Sequence, residues 1–173
     1  MSPAGSGSGR RMELERTIRV DAPPKAVFPL LCPERERDWI DGWDYEMIYS
    51  ASGFAEPGCV FRTTFLPEGP TVWAFVEHVP DRRVAIFRVS GDLVAIHWTM
   101  DLTGPAAGTT AIAIHWTVTG LSDAGNRFID TQLNDRFHER MTWLEQCLGY
   151  YFQTGSKLPA NADERNTGFS RNQ

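Results

Sequence analysis

The chain has 173 residues, of which 42% are hydrophobic and 23% are charged, and this composition is typical of one globular domain with a buried core. Its net charge of −5 argues against a general nucleic-acid binder and a basic membrane-surface protein, so the expected partners are small molecules or proteins. Neither a signal-peptide core nor an apolar run of about 20 residues occurs, so we predict a cytoplasmic protein without stable membrane insertion.

The two ends of the chain differ from the middle in composition. Residues 1–11 are rich in Gly and Ser and lack apolar periodicity, which predicts a flexible leader. Residues 156–173 are polar and carry few large apolar side chains, which predicts a disordered tail. The folded domain is therefore expected over residues 12–155.

A strand is predicted over residues 14–20, and the segment after it carries paired prolines that are typical of a helix start. Pro29 lies beyond the first turn of such a helix, where its missing N–H removes a helical hydrogen bond. The helix must therefore be short or kinked, and two small helices are predicted before Tyr45.

Between Tyr45 and Thr119, turn signals separate short segments of alternating polarity, which predicts an antiparallel meander of about six strands. After Leu121 the apolar period becomes helical and continues to Phe152. We predict one long amphipathic helix here, and its cap is either Ser122 or Asn126.

The motif AIHWT occurs twice, and its alternation directs Trp98 and Trp116 inward and His97 and His115 outward. A hairpin centred on Ala106 would place the two histidines opposite each other, close enough to share a metal ion. A zinc site needs at least a third protein ligand, and the expected neighbours do not supply one. We therefore expect two solvent-facing histidines and no metal.

The same register reasoning predicts an aromatic inner face. A two-residue turn that pairs Ser90 with Leu93 would direct Phe87 inward and Arg88 outward. A three-residue loop over residues 80–82 would bring Glu77 inward as well. The predicted wall contains Phe61, Phe65, Trp73, Phe75, Phe87, Trp98 and Trp116, facing Phe137 and Met141 of the helix.

Few groups in the sequence indicate chemistry. No nucleophile motif, phosphate-binding loop, dinucleotide fingerprint or metal-ligand cluster occurs, so no cofactor is expected. Glu77 is the preferred catalytic candidate, because desolvation on the inner face would raise its pKa towards that of a useful general base. The charged run PERERD, in contrast, is interpreted as a solvated helix face. Cys32, Cys59 and Cys147 have no metal-type spacing and are expected to be free thiols.

Several short motifs follow one another before Tyr45. They are the strand ending at Val20, Ala22-Pro23-Pro24 with Val27, Cys32-Pro33-Glu34, and a loop bearing Trp39 and Trp43. Together with the order of the predicted elements, these motifs resemble the START-like superfamily, also called SRPBCC or helix-grip. Phe28 stands where that family usually has Trp, and Cys32 where it usually has Asp.

This resemblance implies an α+β fold, in which a curved antiparallel sheet of about seven strands wraps around the long C-terminal helix. It also implies a hydrophobic cavity between them, with Trp39 and Trp43 near its entrance. Members of the superfamily include lipid and hormone carriers, polyketide aromatases and cyclases, and chaperone-associated domains. The fold therefore implies a pocket but no particular reaction.

Three functions remain open at this point. We favour a carrier or sensor of a hydrophobic, ring-containing small molecule or lipid, because it needs only the pocket. A polyketide cyclase- or aromatase-like enzyme without a cofactor would also need an inward-facing acid. A protein-interaction module would instead expose an apolar or charged surface.

Overall fold

The structure is a computed structural model that describes residues 9–64, 66 and 68–159. Its strands are β1 Arg11–Val20, β2 Glu46–Tyr49, β3 Val60–Thr63, β4 Thr71–Val79, β5 Arg83–Ser90, β6 Val94–Thr103 and β7 Thr110–Gly120. Its helices are α1 Pro24–Val27, α2 Pro33–Trp39, α3 Asp123–Thr131 and α4 Leu133–Thr154, with a 3₁₀ turn over Phe28–Leu30. Among the described helices, none has the length and apolar character needed to cross a membrane.

The seven strands form one antiparallel sheet in the order β1-β7-β6-β5-β4-β3-β2. Apolar side chains alternate along the central strands, and α4 packs against the apolar face with Phe137 and Met141 fully buried. We call this the inner face and the opposite one the outer face. The predicted α+β helix-grip architecture is confirmed, as are the short helices after β1.

Prolines start both short helices, since Pro24 and Pro33 occupy first-turn positions where no N–H is needed. Between these helices, the 3₁₀ turn accommodates Pro29. The indole N–H groups of Trp39 and Trp43 donate to the carbonyl oxygens of Leu30 and Pro33, at 3.0 and 2.8 Å. The first bond ties α2 to the 3₁₀ turn before it, and the second ties the following loop to the start of α2.

The predicted long C-terminal helix is present as α4, but it does not extend unbroken from its predicted start, because α3 and α4 are separated at Gln132, where φ is −131°. Just before this point, the Thr131 hydroxyl donates to the Arg127 carbonyl, a contact that bends helices. Of the two predicted caps, Ser122 is the one used, and its hydroxyl accepts from the Gly125 N–H at 3.1 Å.

The chain ends were predicted to be a flexible leader and a disordered tail. Most of both segments, residues 1–8 and 160–173, lies outside the described residues. β1 begins at Arg11, one residue before the predicted start of the domain. Leu158, within the predicted tail, packs against the core.

The predicted turn between β5 and β6 is wrong by one residue. Ser90 pairs with Val94 rather than Leu93, because Gly91 adopts a φ of +52° and the loop contains three residues. A one-residue shift exchanges the two faces of a strand. Phe87 therefore lies on the outer face, 43% exposed, and Arg88 lies on the inner face, fully buried.

The register that would direct Glu77 inward is not the one observed, and Glu77 is instead a salt-bridge partner on the outer face, the other orientation that the sequence leaves open. The three-residue loop between Val79 and Arg83 is present, but the register of β4 shifts between Phe75 and Glu77. This β-bulge adds Val76 to the strand, so that Glu77 lies opposite Ala85 on the outer face. There its carboxylate binds the Arg83 guanidinium at 2.8 Å.

The two histidines lie on the outer face as predicted, but they do not oppose each other. His97 pairs with Thr117 and His115 with Thr99, a register two residues from the predicted one. Trp98 and Trp116 are the opposed pair on the inner face. Among the described residues, no three His, Cys, Asp or Glu side chains are grouped to hold a metal ion.

Candidate ligand cavity

A cavity of about 70 Å³ lies between the inner face of the sheet, α2 and α4. Its wall is almost entirely apolar, with Glu36 and Arg140 as the charged members. The aromatic side chains on the wall are Trp39, Trp43, Phe61, Trp73, Phe75, Trp98 and Trp143, and the remaining lining residues are Ile18, Leu31, Pro33, Ile40, Leu66, Ile86, Met100, Ile112, Ile114, Leu144 and Leu148.

Most of the predicted aromatic wall faces inward. Trp39, Trp43, Phe61, Trp73, Phe75 and Trp98 border the cavity, whereas Trp116, Phe137 and Met141 fill the core beside it. Phe87 lies on the outer face, and Phe65 lies outside the described residues. The rings also pack on one another, since Phe61 stacks on Trp73 with centroids 5.5 Å apart.

The acid of this cavity is Glu36, which lies on α2. No hydrogen bond or ion pair is found for its carboxyl group within the described residues. Burial raises the pKa of Glu36 to about 8, because an apolar environment disfavours the charged form. The residue keeps some accessible surface, which is consistent with its place at an open cavity. Near neutral pH the group is therefore mainly a neutral carboxylic acid.

The spacing of residues in the segment PERERDWIDGW explains why Glu36 faces inward. Pro33 and Glu36 are three residues apart in α2, which places them on the same side of the helix, and Ile40 and Trp43 follow directly after the helix ends at Trp39. All four line the cavity. The interpretation of PERERD as a wholly solvated face is wrong at this one position. A charged residue at helical spacing from apolar residues on either side is the sequence signal that could have identified Glu36 as a cavity residue.

A second group of charges lies deeper in the same core. The carboxylate of Glu68, on the loop between β3 and β4, is 3.5 Å from the Arg140 guanidinium and 3.7 Å from that of Arg88. Burial alone would raise the pKa of Glu68, but the two guanidinium groups outweigh it and hold the pKa at about 2. The Arg88 guanidinium also lies 4.9 Å from the Trp73 ring and 5.1 Å from the Trp116 ring. This group could not be predicted from strand alternation, because the expected register places Arg88 on the outer face.

The architecture corresponds to a known fold. A seven-stranded antiparallel sheet with a long C-terminal helix packed across it and short helices after β1 is the helix-grip fold. No family model and no curated protein sequence matches the chain.

Solved structures with this fold are similar to the chain over most of its length. Norcoclaurine synthase from Thalictrum flavum in complex with dopamine and hydroxybenzaldehyde has a TM-score of 0.64 and 14% identity, over 88% of this chain and 95% of that one. An uncharacterized protein from Rhizobium leguminosarum has a TM-score of 0.62 and 18% identity, over 84% and 97%. DynU16, from the dynemicin biosynthetic locus, has a TM-score of 0.56 and 17% identity, over 83% of this chain and 48% of that one.

Proposed function

We propose that the protein binds a hydrophobic, ring-containing small molecule in the cavity and acts as its carrier or sensor. The observation that carries this proposal is the convergence of aromatic side chains from α2, the sheet and α4 on one apolar cavity. Flat side chains stack favourably on planar ligands, with a gain on the order of 1 kcal/mol per ring beyond the buried area. A lipid is the other hydrophobic ligand that such a wall accepts.

Two further observations support the proposal and limit the size of the ligand. The norcoclaurine synthase structure with this fold holds two small aromatic compounds. The present cavity, at about 70 Å³, is well below the ~300 Å³ at which ordinary ligand pockets begin. The ligand is therefore a single-ring compound, or the wall moves to admit a larger one.

Native mass spectrometry of the purified protein, followed by calorimetric titration with 2-phenylethanol, tests the proposal. We expect a 1:1 complex with this neutral single-ring probe. Leu144 borders the cavity, so Leu144→Trp should fill the space and weaken binding at least tenfold. The same substitution at Leu121, which is 46% exposed and does not line the cavity, should leave binding unchanged.

Absence of any complex, or equal binding by the Leu144→Trp and parent proteins, would contradict the proposal. In that case the aromatic side chains only fill the core, and the protein-interaction module becomes the preferred function. The melting temperature of each variant shows whether lost binding reflects a filled cavity or an unfolded protein.

A second candidate function is a cyclase-like enzyme, and Glu36 is the observation that favours it. A carboxylate with a pKa of about 8 is a stronger base than an ordinary one. It can take a proton from a CH₂ group between two carbonyls, so that the resulting enolate carbon attacks another carbonyl of the same chain. The neutral acid then returns the proton to the new alkoxide, and loss of the resulting hydroxyl group as water, followed by enolisation, gives the aromatic ring.

With a linear poly-β-carbonyl compound as substrate, Glu36→Gln should abolish ring closure, measured by the absorbance of the aromatic product. Glu77→Gln is the matched control and should keep full activity, because Glu77 lies on the outer face. Equal rates in the parent protein and the Glu36→Gln variant would exclude Glu36 from such a reaction.

A further inference from the structure

The two charged groups on the cavity wall differ in how they are compensated. Arg140 has a buried counterion, because the Glu68 carboxylate lies 3.5 Å from its guanidinium. Glu36 has no ion pair or hydrogen bond within the described residues. An ionisable group without a partner in an apolar cavity is costly, and a ligand that supplies the partner regains that cost on binding.

The aromatic side chains of the wall also favour a positively charged ligand. The face of an aromatic ring carries partial negative charge and attracts cations, most strongly at Trp. Trp39, Trp43 and Trp98 are among the rings that border the cavity together with Glu36, whereas the ring of Trp73 is already in contact with Phe61 and with the Arg88 guanidinium. A carboxylate or phosphate on the ligand would meet these faces and the Glu36 carboxyl group, whereas an ammonium group is attracted by both.

We propose that the ligand is a ring-bearing amine and that Glu36 is the counterion of its ammonium group. This inference rests on the proposed binding function and names the class of ligand. The ring lies against the indole faces, and the ammonium group donates hydrogen bonds to the Glu36 carboxylate. Such charge-assisted bonds are about twice as strong as neutral ones.

Binding must then depend on pH in a particular way. The raised pKa of Glu36, about 8 in the empty cavity, means that the carboxyl group loses a proton when it pairs with an ammonium ion. Affinity for the amine should therefore rise with pH up to about 8, and fall again once the free amine itself loses its proton.

Within the described residues, the other charged groups near Glu36 do not serve as its counterion. From α4, Arg140 reaches the wall but is compensated by Glu68. Arg88 on β5 contacts the rings of Trp73 and Trp116 and is absent from the wall. On α2 itself, the charged neighbours pair with one another or with Tyr45, as in Arg35–Asp38, Arg37–Glu34 and Tyr45–Glu34.

The test compares three probes of similar size, namely 2-phenylethylamine, neutral 2-phenylethanol and anionic phenylacetate, by calorimetry between pH 6 and pH 9. At pH 8 we expect the amine to bind at least tenfold more tightly than the alcohol, and the acid most weakly. Below pH 8 the Kd of the amine should increase about tenfold for each unit by which the pH is lowered. The Kd of the alcohol should not change with pH.

Glu36→Gln should abolish the preference for the amine and its pH dependence while the alcohol still binds. Asp38→Asn removes a carboxylate from the same helix but outside the cavity. This variant should keep the preference for the amine and its pH dependence. If the Glu36→Gln protein does not fold, the pH profiles of the parent protein still decide the question.

The outcomes separate the two proposals. If the alcohol binds and the amine binds no better, or if phenylacetate binds most tightly, the amine inference is overturned and the proposed binding function stands. If none of the three probes binds, the proposed function fails, and the inference fails with it.

Discussion

Replacing Glu68 by Gln is expected to lower the free energy of unfolding by about 3–5 kcal/mol, because it leaves two buried guanidinium groups without a counterion. Arg88 is fully buried, and only 4% of the Glu68 side chain and 15% of the Arg140 side chain are exposed. Urea denaturation at pH 7 measures the loss. The additional substitution Arg88→Met should recover part of it, since one uncompensated charge is then removed.

Glu46→Gln provides the matched control. It breaks an ion pair with Arg62 in which 66% of the Glu46 side chain is exposed, and should cost at most about 1 kcal/mol. A similarly small cost for Glu68→Gln would contradict the view that Glu68 is a buried counterion.

The contribution of Glu68 also has a predictable pH dependence. Its pKa of about 2 lies below the ordinary carboxyl value, so the folded state holds the proton less tightly than the unfolded state. The stabilisation is therefore complete above the ordinary carboxyl pKa, and is lost as the pH falls towards 2. The Glu68→Gln protein should lack this part of the acid dependence.

Glu36 is expected to give the opposite pH dependence of stability. Its pKa of about 8 lies above the ordinary value of 4.5, so the folded state holds the proton more tightly than the unfolded state. The contribution of the neutral carboxyl group to the free energy of unfolding is therefore lost as the pH rises from about 5 through 8. Relative to the parent protein, Glu36→Gln should gain about 4 kcal/mol between pH 5 and pH 9, because each unit of pKa shift corresponds to ~1.4 kcal/mol.

Urea denaturation of both proteins at pH 5, 7 and 9 measures this difference. Gln buries a polar amide in the cavity, but that cost is independent of pH and does not enter the comparison. Asp38→Asn, on the exposed side of α2, should show no such trend. A difference between Glu36→Gln and the parent protein that stays constant with pH would contradict the raised pKa.

Much of the fold could be predicted from the sequence, because strand alternation and helical periodicity are local signals. Trp73, Phe75, Trp98 and Trp116 face inward as their alternation indicates. The predicted orientations were wrong where one additional residue, in a loop or in a strand, changed the register between neighbouring strands. A three-residue loop at Gly91 exchanged the predicted faces of Phe87 and Arg88, and the bulge in β4 turned Glu77 outward. Alternation alone carries no information on such insertions.

The acid in the cavity was missed for a different reason. The segment PERERD is so rich in charge that it was interpreted as a solvated helix face, although Pro33, Glu36 and Ile40 have helical spacing. The Glu68 group could not be found from the sequence, because it joins a loop, a strand and a helix that are distant along the chain. Only the tertiary packing brings these three elements together.

The indole rings along the cavity also have an optical consequence. Trp73 lies 6.2 Å from Trp98, and Trp98 lies 5.1 Å from Trp116, between ring centroids. Chromophores this close exchange excitation before they emit, so the fluorescence of the three indoles is a collective property. Light absorbed by any one of them is emitted from the member with the lowest excited state. Because Trp73 and Trp98 border the cavity, a compound that enters it should change this shared emission, and a fluorescence titration measures the change.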